Sequence, residues 1–98
     1  MKDKLLQIIS YYGILKQLKY IHSEYFELDE AILNELNDEY TYFEKIHDDH
    51  KAHIKEEIAD IMVMLRQFQY YYDITDEQIN KVMEHKIDRQ LQRIENDN

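Results

Sequence analysis

Four acidic residues fall into two pairs of the same spacing, Glu24 with Glu27 and Glu57 with Asp60. Residues three apart on a helix share a face. Each acid also stands one position ahead of an apolar or aromatic residue: Tyr25, Leu28, Ile58 and Ile61. Both pairs therefore flank an apolar seam on the same rotational side of their helices. Antiparallel packing of two such helices brings the flanks to one edge, where four carboxylates converge. Like charges that close raise one another's pKa, and a bound divalent cation removes the conflict. Mg²⁺ suits the arrangement, because it takes oxygen ligands and keeps waters that a phosphate oxygen can replace. Any one of these acids by itself reads equally well as an ordinary solvated helix residue. The shared offset on two helices is what sets them apart.

The elements that must position these acids are helical. There is no Pro and a single glycine, Gly13, so breakers are scarce. A short first helix is predicted over about residues 2–11, with Gly13 separating it from the next. The second carries the stripe Ile14, Leu18, Ile21, Tyr25, Leu28, Ile32 and Leu36, in steps of four and three, and ends at Asn37-Asp38. Residues 39–53, with Tyr40, Tyr42 and Phe43, are less regular and read as a short helix or a packed loop. A second long stripe follows at Ile54, Ile58, Ile61, Leu65, Phe68 and Tyr72, stopping at Asp73-Ile74. Thr75 with Gln78 reads as a capping box, and Ile74 with Ile79 as a hydrophobic staple. The last helix turns Ile79, Val82, Met83, Ile87, Leu91 and Ile94 inward and frays from Glu95. The expected fold is all-α: one domain over residues 1–98, an antiparallel helical bundle completed by homo-oligomerisation. Self-association is expected because a short chain buries a limited share of its surface, and because Tyr70-Tyr71-Tyr72 cannot all face one core.

Composition removes several function classes. With 21 acidic residues against 12 basic ones, the formal charge is −9, the wrong sign for a protein that grips nucleic-acid phosphates. The absence of Cys excludes disulfides and thiolate metal sites. No long uncharged apolar run is present, so neither a membrane span nor a secretory signal is expected, and the cytoplasm is the default location. There is no Gly-rich phosphate loop, and Ser23 has no His/Asp partners that would make it a nucleophile.

The segments Ser23-Glu24-Tyr25-Phe26-Glu27-Leu28 and Glu56-Glu57-Ile58-Ala59-Asp60-Ile61-Met62-Val63-Met64-Leu65 resemble the paired motifs of the MazG-like nucleotide pyrophosphohydrolase family, E-E-x-x-E on one helix and E-x-x-D on the next. Residues Glu84 to Ile94 are similar to the basic C-terminal helix of its short phage- and Firmicute-type members. The likeness runs from about Tyr12 to Ile94. It implies an all-α homodimer or homotetramer that hydrolyses nucleoside triphosphates to monophosphate and pyrophosphate with Mg²⁺ or Mn²⁺. Carried over residue by residue, Glu24, Glu27, Glu57 and Asp60 hold metal and support catalysis, while Lys86, Arg89 and Arg93 touch substrate phosphates. Those three cations read equally well as solvated residues that the helix macrodipole favours near a C-terminus. The first motif departs from the family at Ser23, where an acid is expected. A catalytically weakened oligomer, binding nucleotide or protein, is therefore the alternative. His47, His50 and His53 recur every three residues beside Asp48 and Asp49, and are read as solvated rather than as a transition-metal site.

Overall fold

A computed structural model describes residues 1–37 and 44–97, with side chains for residues 1–37 and 48–97. Four helices follow one another: α1 (Lys2–Tyr12), α2 (Ile14–Asn37), α3 (Glu44–Tyr71) and α4 (Asp76–Asn96). The expected irregular stretch is helical from Glu44 onward. Over residues 48–53 the lack of an apolar stripe reflects a largely exposed polar face rather than a missing helix. The reading of Tyr40, Tyr42 and Phe43 as helix or packed loop lies outside the described residues.

Gly13 separates α1 from α2 at φ 88°, in the left-handed region that glycine enters without a steric penalty. Its N–H closes α1 on the Ile9 carbonyl at 2.8 Å. The chain turns there, and α1 lays Leu5 and Ile9 against α3 and, to a lesser extent, α2. The main packing is α2 against α3, antiparallel.

The seam between α2 and α3 is not the one that the apolar stripes mark out. The fully buried positions of α2 are Gln17, Glu24 and Ala31. On α3 they are Glu57, Met64 and Gln67, while the equally buried Gln69 faces Ile74 and Asp76 beyond the end of the helix. Ile14, Ile21, Leu28, Ile54, Ile61 and Phe68 fill in around them, half-buried. Leu18, Tyr25, Ile32, Leu36, Ile58, Leu65 and Tyr72, all expected inward, are exposed. Each helix is thus rotated so that half of its stripe faces the partner and half faces out. Gln17 Nε2 donates to Gln67 Oε1 at 2.8 Å across the seam, so the two buried amides satisfy each other.

α4 departs further from expectation. The capping box at its start is present: the Gln78 N–H donates to the Thr75 hydroxyl and the Thr75 N–H to Gln78 Oε1. Ile74 and Ile79 line one groove, as a staple would place them. Yet α4 packs along none of α1, α2 and α3, and none of its residues is buried. The radius of gyration is 17.2 Å, against about 13 Å for a compact chain of about 100 residues. The apolar stripe expected inward is left open, with Val82, Met83, Ile87, Leu91 and Ile94 between 52% and 60% exposed.

A polar joint sets where α4 points. Asp73 adopts φ 56°, a left-handed conformation that Asp tolerates better than most side chains. Asp76 Oδ1 then accepts from Arg66 Nη1 at 2.9 Å, Gln69 Nε2 at 2.7 Å and the Tyr70 hydroxyl at 2.9 Å. Those hydrogen bonds, led by the one from Gln69, hold the Asp76 carboxyl below its ordinary range. No described helix is long and apolar enough to cross a membrane.

Candidate metal centre

The antiparallel register that pairs Gln17 with Gln67 also sets the acids against each other. Seven positions along each helix from that pair stand Glu24 and Asp60; ten positions along stand Glu27 and Glu57. One carboxylate oxygen from each of the four lies within 4.8 Å of all the others. The convergence expected from the shared offset is therefore present. Its placement differs: Glu24 and Glu57 do not flank the seam but sit inside it, 6% and 8% exposed, while Glu27 and Asp60 line its open edge.

Burial without partners makes this cluster more than a charged surface. Glu24 Oε2 and Glu57 Oε2 are both buried and accept no hydrogen bond. A buried oxygen of an ionised carboxylate normally has a donor, because leaving it unpaired costs at least the desolvation of the group. Burial raises the Glu24 pKa above its ordinary value; a hydrogen bond with Tyr20 pulls it down, and the charges of Glu27 and Asp60 push it up. The Tyr20 phenol is in turn raised, first by that hydrogen bond and then by the Glu24 charge. A hard divalent cation would supply what the two orphaned oxygens lack, and the all-oxygen donor set matches Mg²⁺ or Mn²⁺ rather than a metal that prefers thiolate or imidazole.

Two neighbours escaped the sequence reading. His53, set aside as a solvated histidine, places Nε2 3.2 Å from Glu57 Oε1, one helical turn along α3. This contact pairs one Glu57 oxygen, while the other, Oε2, is the buried one without a partner. Tyr20 is the second, one turn before Glu24 on α2. The spacing of four in both cases was available as a signal, but attention to the acids alone passed over it. A cleft of about 360 Å³ opens beside the cluster, with Tyr12, Lys16, Tyr20 and Glu24 on one side and Asp60 and Met64 on the other.

The remaining expected site residues stand elsewhere. If α4 folded back along α3, Lys86 and Arg89 would come level with Asp60 and Glu57. Because α4 points away, this chain does not itself bring Lys86, Arg89 or Arg93 to the acids, and all three are exposed. Ser23, which stands where the resemblance expects an acid, is exposed as well. No protein-family model, curated protein or solved structure matches the chain.

Proposed function

We propose that this protein is a metal-dependent nucleoside triphosphate pyrophosphohydrolase, converting NTP or dNTP to the monophosphate and pyrophosphate as a cytoplasmic homodimer or homotetramer. One observation carries the reading: four carboxylates meet, two of them buried with an oxygen that has no partner, beside an open cleft. The likeness of the two acidic segments to MazG-like motifs supports the same chemistry.

Mg²⁺ or Mn²⁺, when bound, offsets phosphate charge and makes water a better nucleophile at neutral pH. The chain's own groups divide the remaining tasks. Glu24 and Glu57, locked in the seam, supply ligand oxygens whose direction the packing fixes. His53, 3.2 Å from Glu57 Oε1, restrains the Glu57 carboxylate. Glu27 and Asp60, at the open edge, face substrate and solvent; either can take the proton from the attacking water as a general base. Lys86, Arg89 and Arg93 reach phosphate only if α4 comes from another copy or swings about its joint. The open apolar stripe of α4 supports such an assembly, since an uncovered face of that length marks an interaction surface.

The test is incubation with a panel of NTPs and dNTPs plus Mg²⁺ or Mn²⁺, measuring monophosphate and pyrophosphate separately from free phosphate. Monophosphate and pyrophosphate in equal amounts are the expected products. No turnover of any nucleotide would overturn the reading in favour of a nucleotide- or protein-binding module, the alternative that Ser23 in place of an opening acid favours.

A further inference from the structure

The cleft beside the acids contains one cation, and it is not one of those that the C-terminal helix offers. Along α2, Lys16, Tyr20 and Glu24 recur every four residues and line the cleft, and Tyr12 at the end of α1 joins them. Lys16 and Glu24 are two turns apart, about 12 Å along the axis, and the Lys16 side chain extends toward Tyr12, at the end of the cleft away from Glu24. The cleft is thus negative at one end, where Glu24 and Asp60 lie, and positive at the other. Among the described residues Lys16 is paired with no carboxylate. Its ammonium rests over the Tyr12 ring, 5.3 Å from the centroid. In a chain of net charge −9, a cation left without an acid beside an acidic cluster is available to an anion.

We infer that Lys16 holds the pyrophosphate half of the substrate, which lies along this cleft with the α-phosphorus at the acids. The inference rests on the reading of those acids as a metal–phosphate centre. Three features favour phosphate over nucleobase as the occupant. Lys16 already covers a face of Tyr12 that a base would stack on. The amides of Gln17 and Gln67, which also line the cleft, bond each other rather than offering an edge to a base. The volume, about 360 Å³, is at the small end for a ligand site of about 300–1,000 Å³. The pyrophosphate leaving group then departs with its charge held by an ammonium, which stabilises the developing negative charge.

The experiment measures three affinities by calorimetry on the full chain, comparing wild type with Lys16→Met, Lys16→Arg and Lys81→Met, an exposed lysine of α4 that lies beside Glu77. The probes are Mn²⁺ alone, inorganic pyrophosphate with Mg²⁺, and a nucleoside monophosphate with Mg²⁺. Lys16→Met is expected to bind Mn²⁺ and monophosphate as wild type does. It should lose about 10- to 100-fold in pyrophosphate affinity, the scale of a charged hydrogen bond. Lys16→Arg should recover most of that loss, and Lys81→Met, outside the cleft, should show none. Equal pyrophosphate affinity in wild type and Lys16→Met would overturn the inference alone. Loss of monophosphate binding with pyrophosphate binding retained would overturn it in favour of a base in the cleft. Wild type that binds no Mn²⁺ would overturn the metal reading beneath it.

Discussion

The seam between α2 and α3 encloses carboxylates and amides, whereas α4 displays isoleucine, leucine and methionine to solvent. Each region reverses the ordinary sorting of polar and apolar groups, and the two reversals have different remedies. A buried, unpartnered carboxylate oxygen is corrected by a cation at one point in space. An uncovered apolar stripe is corrected by surface, along the whole length of a helix. The chain thus carries two separate departures, electrostatic at the acids and hydrophobic on α4, and the two should be separable by mutation.

The largest expected effect is at the acids. Glu24→Gln or Glu57→Gln should reduce metal-dependent nucleotide hydrolysis to background and remove any rise in melting temperature on adding Mg²⁺. Without metal, Glu24→Gln should melt higher than wild type at neutral pH. The sign follows from the raised Glu24 pKa. The contribution of Glu24 to stability is fully present below its ordinary value of 4.5 and is lost as pH rises through the raised folded-state value. Melting curves at acid and neutral pH, with and without Mg²⁺, check this. A Glu24→Gln protein that Mg²⁺ still stabilises fully would remove the electrostatic half of the comparison.

Next comes the apolar half. Ile87→Glu with Leu91→Glu should convert the assembly to monomers by light scattering, with the Mn²⁺ affinity of the acids unchanged. A wild-type chain that is already monomeric at high concentration would show that α4 needs no cover. The smallest effect is in the amide pair of the seam. Gln67→Leu strands a buried Gln17 amide and should cost about 1–3 kcal/mol in denaturant unfolding. Gln17→Leu combined with Gln67→Leu should return close to wild-type stability, since both polar groups then leave together.

Much of this was legible in the sequence. The all-α class, the break at Gly13, the Thr75–Gln78 cap and the meeting of Glu24, Glu27, Glu57 and Asp60 all follow from local spacing, which a helix translates directly into position. What spacing does not report is how far each helix is rotated about its own axis. Leu18 and Tyr25 lie next to Gln17 and Glu24, and periodicity alone assigns the apolar member of each pair to the interior. The inward turn of the polar member is a tertiary choice, made where two helices meet. The same limit applied to α4, whose stripe is regular but whose direction is set by residues around Asp76. Lys16 stands in a four-residue ladder with Tyr20 and Glu24, a spacing visible in the sequence, but its place in the cleft depends on how α1 and α3 pack around it.

The carboxylate of Asp76 has a mechanical role out of proportion to its size. Helix α4, with 21 residues, is a rod about 31 Å long at 1.5 Å per residue, and it is held at its base by donors from Arg66, Gln69 and Tyr70. With no lateral support from α1, α2 or α3, a tilt of about 10° at that pivot carries the far tip by about 5 Å, nearly one full turn of helix. The aim of Ile94 and Arg93 is therefore governed by a few hydrogen bonds near Asp76, some twenty residues away.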